Sequence, residues 1–256
     1  MKRLFFLWMG LCAIWALSAQ NLHVVYIGNS ITQGVILKNP QVAAPPVQST
    51  QFLQEALQGT VDFRNCGISG HTTLNFLPVT GTDFPNVVAA AEALSAQNGT
   101  LLFSIMLGTN DSAERGPMGA PVHPVSYYTN LQAIINGLLE RFPQAIFVIH
   151  HPIWYSPNTY NSSTYLANGL KRLQSYWPMI DKLVESYAEN YPGQVFLGDT
   201  LAFDYFKENH DELLFHESGQ AGTFFLHPNP EGAKVLGRFW SDAILNCLPA
   251  TFKRKR

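Results

Sequence analysis

Charged residues are scarce in this chain. Only 13% of its 256 residues are Asp, Glu, Lys or Arg, against about 25% in typical soluble proteins. Lys and Arg number 16 and Asp and Glu number 18, so the formal net charge is −2. Without a basic excess, the chain lacks the charge with which proteins neutralise nucleic-acid phosphates, and nucleic-acid binding is not expected. With 46% hydrophobic residues, it is also too apolar for intrinsic disorder.

Long apolar runs are missing after the first twenty residues. Lys2 and Arg3 precede an apolar run over 4–17, and the small residues Ser18 and Ala19 follow it. A basic start, a short apolar core and a small-residue end are typical of a secretory signal, whereas a membrane span needs about 20 apolar residues. The sequence predicts a signal peptide over 1–19, a secreted or periplasmic protein, and no membrane span after cleavage. An uncleaved anchor is the alternative.

Cysteine is also rare. Of the three cysteines, Cys12 would leave with the signal, and Cys66 and Cys247 remain. Export permits a disulfide between them, but two distant cysteines do not require one. No Cys/His spacing resembles a zinc site.

Strand-like and helix-like segments alternate along the rest of the chain. Short apolar or β-branched runs predict buried strands at 22–28, 61–65, 101–107, 145–150 and 194–197. Helical periodicity is clearest at 48–57, 86–95, 126–142, 166–191 and 231–245. This alternation indicates βαβ units, and therefore an α/β domain over 20–256 whose parallel sheet is covered on both faces.

Polar residues follow several of the predicted strands, where ligands of open parallel sheets bind. Ser30 lies at a strand-to-helix turn, where backbone N–H groups can stabilise an oxyanion and a nearby His can activate the hydroxyl. His227, on the loop before the last predicted helix, can serve as a general base. Taken singly, Ser30 could equally cap a helix, and His227 could be a surface residue.

Taken together and in order, these segments resemble the sequence blocks of the SGNH, or GDSL, hydrolase superfamily. The first block matches 28–31, with Asn29 where Asp is commonest. The second, third and last blocks match 65–70, 108–111 and 227–229. The resemblance implies a three-layer α/β/α sandwich with a mostly parallel central sheet, of the SGNH hydrolase or flavodoxin-like kind.

The resemblance also implies the catalytic groups. Ser30 would be the nucleophile of ester hydrolysis, and His227 the general base. The backbone N–H groups of Ser30 and Gly70, with the side chain of Asn110, would form the oxyanion hole. Removing one such donor typically costs a factor of about 10² to 10³ in rate. No metal ion or organic cofactor is required.

One position departs from the family pattern. Phe224 stands three residues before His227, where the family usually has an Asp that orients the imidazole and stabilises the imidazolium. The simplest hypothesis is a Ser30–His227 dyad, with a backbone carbonyl accepting the imidazole N–H. A second hypothesis takes a carboxylate from elsewhere, with Glu217 as the first candidate. A third is that catalysis has been lost.

The substrate prediction depends on the segment 151–161, which combines Trp and Tyr residues with amides and hydroxyls after a strand. Aromatic faces and planar polar groups suit a sugar ring, so Trp154 and Tyr155 are candidate substrate contacts; the alternative is that they pack the loop. His71, Asp111 and His151 are further candidates, because each follows a strand or a glycine of the second block.

Export and this segment together predict a secreted serine esterase that removes O-acyl groups, above all O-acetyl groups, from carbohydrates. An acylated carbohydrate is then the expected partner, and no oligomeric state is indicated. The first alternative is a lipid or thioester acyl hydrolase, which would cleave long acyl chains best. The second is a non-catalytic glycan-binding protein on a degenerate hydrolase fold, whose Ser30 would not react with a fluorophosphonate.

Overall fold

The computed structural model describes residues 20–254, and its centre is a parallel sheet of five strands. They are β1 (Leu22–Gly28), β2 (Val61–Gly67), β3 (Thr100–Met106), β4 (Ile146–Ile149) and β5 (Val195–Leu197). Their order, β2-β1-β3-β4-β5, is the flavodoxin-like order. Every residue of β1 is buried, as expected for a parallel strand covered on both faces. The five predicted strands are confirmed, the first with its predicted ends and the others with ends that shift by at most two residues.

Helices cover both faces of this sheet. Those before β4 are α1 (Ser30–Gln33), α2 (Pro40–Ala43), α3 (Pro45–Ala56), α4 (Phe84–Ser95) and α5 (Pro124–Arg141). Those after it are α6 (Leu166–Ser175), α7 (Trp177–Tyr187), α8 (Ala202–Glu208), α9 (His210–Leu213) and α10 (Pro230–Cys247). Because parallel crossovers are right-handed, the connection from β1 to β2 lies on the face opposite the later crossovers. Helix α10 packs against α3 on that first face.

Side chains of α3 and α10 meet the middle of the sheet at Tyr26. Its ring stacks on Trp240 of α10, with the centroids 6.0 Å apart. Its hydroxyl, which is fully buried, donates to Ser49 Oγ of α3 at 3.0 Å. The strand that carries the first block is therefore held from one face by both helices, which fixes the position of the turn that follows it.

The single helix predicted over 166–191 is wrong, because the chain forms α6 and α7 there. The break falls at Tyr176, and Pro178 occupies the first turn of α7. Proline lacks the N–H that would continue a preceding helix, and its ring clashes with the preceding turn. The hydrophobic periodicity continues through the break and conceals it.

A two-stranded antiparallel hairpin precedes α10 and was not predicted. Its strands are β6 (Glu217–Gly219) and β7 (Gly222–Phe224), of three residues each. In its register, Glu217 lies directly opposite Phe224. Strands this short carry too little alternation to be recognised from sequence.

The remaining predictions concern a signal peptide, membrane-spanning helices and a disulfide. The predicted signal peptide, 1–19, lies outside the described residues. Between residues 20 and 254, no helix combines the length and apolarity needed to cross a bilayer. Cys66 and Cys247 are both free, so the optional disulfide is not formed.

Candidate active site

Ser30 is the first residue of α1, directly beyond β1, at the point where the strand order of the sheet reverses. The N-cap of this helix is Asn29, whose side-chain oxygen accepts the Ile31 N–H at 3.0 Å. The Ser30 hydroxyl is therefore not used to cap the helix. It lies 2.9 Å from Nε2 of His227 and is almost buried, with 7% exposure.

His227 contacts a carboxylate through its other ring nitrogen. Its Nδ1 lies 3.0 Å from both carboxylate oxygens of Glu217, and its backbone N–H also donates to Oε1 at 3.0 Å. A carboxylate at Nδ1 favours the tautomer in which Nδ1 carries the proton, so that Nε2 can accept the Ser30 O–H. The partner of Nδ1 is thus a carboxylate and not the backbone carbonyl that the dyad hypothesis required.

The hairpin explains how the Glu217 carboxylate reaches His227 in place of an Asp at position 224. Glu217 and Phe224 are paired across β6 and β7, and the phenyl ring of Phe224 is 1% exposed and packs into the core. The carboxylate therefore comes from β6, the strand paired with the one that contains position 224, where the family usually has an Asp. Its side chain is 17% exposed, and that of His227 is 11% exposed, so solvent screens this pair only partly.

The candidate oxyanion donors lie on adjoining loops. The N–H groups of Ser30 and Gly70 make no hydrogen bond within the described residues, and Gly70 has the positive φ of +78° that glycine adopts readily. Asn110 Nδ2 donates to the carbonyl of His71, the residue after Gly70, at 2.8 Å. An amide carries two N–H donors, so the other remains for an oxyanion.

Tyr165 fixes the orientation of this amide, and sequence reasoning missed it. Its O–H donates to Asn110 Oδ1 at 2.7 Å, which leaves Nδ2 as the group that faces His71 and the site. Burial raises the pKa of Tyr165 well above its ordinary value, so the hydroxyl keeps its proton. The two residues are 55 positions apart, and no local pattern connects them.

Asp111 is not a substrate contact, which corrects the expectation. It is fully buried, and its Oδ1 accepts the backbone N–H of Thr73 at 3.0 Å as well as the Thr73 hydroxyl. Burial raises the pKa of Asp111 to about 6. With the Asn110–His71 bond beside it, this contact ties the third block to the turn that follows the second.

The aromatic segment also differs from the expectation. Tyr155 is fully buried and shares a hydrogen bond with Ser112 Oγ at 2.9 Å, and Trp154 is 6% exposed. His151 Nε2 lies 3.0 Å from Asp181, and burial lowers the pKa of His151. Trp154, Tyr155 and His151 therefore pack the protein and do not present a surface to a sugar.

His71 is the one remaining candidate for a substrate contact from this group. Its side chain is 30% exposed, and its Nδ1 is hydrogen-bonded to the carboxylate of Asp83. That pairing engages Nδ1, and Nε2 makes no hydrogen bond within the described residues. His71 directly follows Gly70 in the chain. In residues 20–254 no group of three His, Cys, Asp or Glu side chains could hold a metal ion.

The chain resembles known proteins in sequence and in fold. Residues 26–235 match the GDSL-like lipase/acylhydrolase family. No curated protein sequence matches the chain significantly. Among solved structures, Est24, a carbohydrate acetylesterase from Sinorhizobium meliloti, is 16% identical with a TM-score of 0.60, over 88% of this chain and 99% of that one.

Two further solved structures share the fold. The lipase/acylhydrolase from Enterococcus faecalis is 16% identical with a TM-score of 0.58, over 91% of this chain and 99% of that one. A two-domain esterase active on acetylated mannans is 15% identical with a TM-score of 0.56, over 94% of this chain and 53% of that one. At these identities the likeness establishes the fold, while the family match covers most of the chain and every candidate catalytic residue. The chain therefore belongs to the GDSL-like lipase/acylhydrolase family of ester hydrolases.

Proposed function

We propose that this chain is an exported serine esterase that removes small O-acyl groups, above all acetyl, from carbohydrates. The observation that carries the catalytic part is the continuous hydrogen-bonded line from Ser30 Oγ through His227 to Glu217, with contacts of 2.9 and 3.0 Å. A hydroxyl, an imidazole and a carboxylate in this order are the groups that activate a serine nucleophile.

In the proposed reaction, Ser30 Oγ attacks the ester carbonyl carbon while His227 Nε2 takes the hydroxyl proton. The N–H groups of Ser30, Gly70 and Asn110 stabilise the negative oxygen of the tetrahedral intermediate. His227 then returns the proton to the departing sugar oxygen, which leaves an acyl-Ser30 ester. A water molecule, deprotonated by His227, attacks this ester, releases the carboxylic acid and restores the Ser30 hydroxyl.

The crevice beside the nucleophile is narrow. Its lining includes Ser30, His227, Val35, Ile36 and Pro228, and it is too narrow to admit a water-sized sphere. A long fatty-acyl chain would require an extended apolar groove, which this crevice does not provide. Its narrowness therefore supports a small acyl group over a long one.

The support for a carbohydrate comes from a groove and from relatives. A cavity of about 420 Å³ lies at the carboxyl end of β2, and its walls include the amides Gln33, Gln41 and Asn65 and the ring of Phe63. Gln33 is only three residues after Ser30. Amides beside an aromatic ring suit a neutral, hydroxyl-rich ligand. Est24 is named as a carbohydrate acetylesterase, and the two-domain relative as active on acetylated mannans.

The test is acetate release from a panel of acetylated glycans, with Ser30→Ala as the control. We expect release by the native chain, none by the variant, and activity on aryl esters that falls sharply beyond two or three acyl carbons. Activity that rises with chain length would favour a lipid or thioester hydrolase. Absence of hydrolysis and of fluorophosphonate labelling at Ser30, with glycan binding retained in Ser30→Ala, would favour a non-catalytic binding protein.

Export is the part of the proposal that depends on residues 1–19. Their basic start, short apolar run and small end support cleavage after Ala19. Expression of the full chain in a Gram-negative host, followed by fractionation, should place a shortened protein in the periplasm with Gln20 as its first residue. A full-length cytoplasmic product would contradict this part alone.

A further inference from the structure

The hairpin that supplies Glu217 is a small and weakly supported element. Its two strands have three residues each, and five of these six residues, including Gly219 and Gly222 beside the turn, are half-buried or exposed. An isolated two-stranded hairpin is at best marginally stable in water. Some other part of the protein must therefore hold Glu217 within 3.0 Å of His227 Nδ1.

The segment 156–161, which we call the cradle segment, provides that support. At one end, Ser156 and Phe225 exchange two hydrogen bonds of 2.9 Å, from Ser156 N–H to the Phe225 carbonyl and from Phe225 N–H to Ser156 Oγ. At the other end, the Gln220 N–H at the hairpin turn donates to the carbonyl of Tyr160 at 2.8 Å. The cradle segment therefore contacts both the turn of the hairpin and the chain that leads to His227.

Asn158 lies between these two ends and holds the returning strand. Its Nδ2 donates to the carbonyls of Ala221 at 3.2 Å and Thr223 at 2.7 Å. One amide thus uses both of its N–H donors on the backbone that flanks Gly222. Thr223 precedes Phe224, the residue that pairs with Glu217, so a shift of this strand would carry the carboxylate with it.

We propose that Asn158 is a positioning residue for Glu217, which holds strand β7 so that the carboxylate stays against His227 Nδ1. The inference rests on the proposed function, because it requires that Glu217 assists His227 in ester hydrolysis. It assigns the polar groups of segment 156–161 to support of the catalytic hairpin, in place of the sugar contact that its composition suggests.

The first test compares Asn158→Ala with Gln194→Ala. Gln194 is a matched control, because its Nε2 also donates to two carbonyls, those of Pro143 and Ala145, at 2.9 and 3.0 Å, beside the amino ends of β4 and β5. Misplacement of a catalytic group by about 1 Å can cost up to about 100-fold in rate. We expect kcat for acetyl ester hydrolysis to fall about tenfold in Asn158→Ala with KM within about twofold, and to stay unchanged in Gln194→Ala.

Asn158→Asp provides a second variant of native size. A carboxylate cannot donate to the two carbonyls and repels them, so kcat should fall at least as far as in Asn158→Ala, with a folded far-UV circular dichroism spectrum. Equal losses in the Asn158→Ala and Gln194→Ala variants would show a general structural effect, and a loss confined to KM would show a substrate contact. Either result would overturn the proposal.

The decisive test repeats Asn158→Ala in the Glu217→Gln background. If Asn158 acts through the carboxylate, the second substitution should lower kcat by no more than about twofold there. A full tenfold loss in that background would overturn the inference but would not contradict the catalytic roles of Ser30, His227 and Glu217. If Glu217→Gln alone leaves kcat unchanged, the role of the carboxylate in the proposed function fails instead, so the two failures are distinguishable.

Discussion

Replacing Glu217 with Gln keeps the size of the side chain and an oxygen that can accept from His227, but removes the negative charge. When Ser30 gives up its proton, the imidazole becomes a cation 3.0 Å from the carboxylate oxygens. Coulomb's law at this distance gives about 1.4 kcal/mol at the dielectric constant of water and about 5.5 kcal/mol at an effective value of about 20. These limits correspond to rate losses of about tenfold and about 10⁴-fold.

The burial of the pair selects a value within this range. Glu217 and His227 have side chains that are 17% and 11% exposed, so bulk water screens them only partly. We therefore expect kcat for acetyl ester hydrolysis to fall about 10³-fold in Glu217→Gln. The measurement is steady-state hydrolysis of an acetyl ester at saturating substrate, with Glu140→Gln on the exposed side of α5 as the control.

Two outcomes would refute this reasoning. A kcat within threefold of the native value would show that the carboxylate does not stabilise the imidazolium, whatever its distance. An effect on KM alone would show that Glu217 contacts the substrate and does not stabilise the charge that develops during the reaction. The expected result is a loss in kcat with KM nearly unchanged.

Two further predictions concern the loops of the oxyanion hole. Tyr165→Phe removes the donor that orients Asn110 and should lower kcat about tenfold. Tyr187→Phe, which removes a Tyr–Asn hydrogen bond of 2.6 Å between α7 and the exposed Asn136 of α5, should leave kcat unchanged; similar losses in both variants would contradict the role of Tyr165. Because burial raises the pKa of Asp111 from 3.8 to about 6, the folded state binds this proton more tightly than the unfolded chain. Stability should fall as the pH rises through that window, by up to about 3 kcal/mol. In urea unfolding, Asp111→Asn should therefore raise the free energy of unfolding more at pH 8 than at pH 4.5. Equal increases at the two pH values would refute the raised pKa of Asp111.

The sequence predicts the five strands well because each is a buried apolar run, and the matches to the family's sequence blocks locate Ser30, Asn110 and His227. It does not reveal the hairpin, whose strands are too short to show a period. Tyr165 escapes as well, since its contact with Asn110 spans 55 positions.

Trp154 and Tyr155 show a different limit of sequence reasoning. Packed loops and sugar-binding loops share the same aromatic and polar composition, and composition does not determine which way a side chain faces. Here both rings point into the protein, where Tyr155 is fully buried and Trp154 is 6% exposed. The residues that do border the site, such as Gln33 and Val35, are ordinary turn and helix residues in the sequence.

The origin of the carboxylate on a paired strand makes this active site sensitive to chain length. A carboxylate three residues before His227 would be carried by the same short stretch of backbone, and distant insertions would not move it. Glu217 instead faces Phe224 through a hairpin register, and a shift of one residue turns every side chain of a strand to its other face. One residue inserted or deleted at the turn 220–221 would therefore turn the carboxylate away from the imidazole, although no catalytic residue had been replaced.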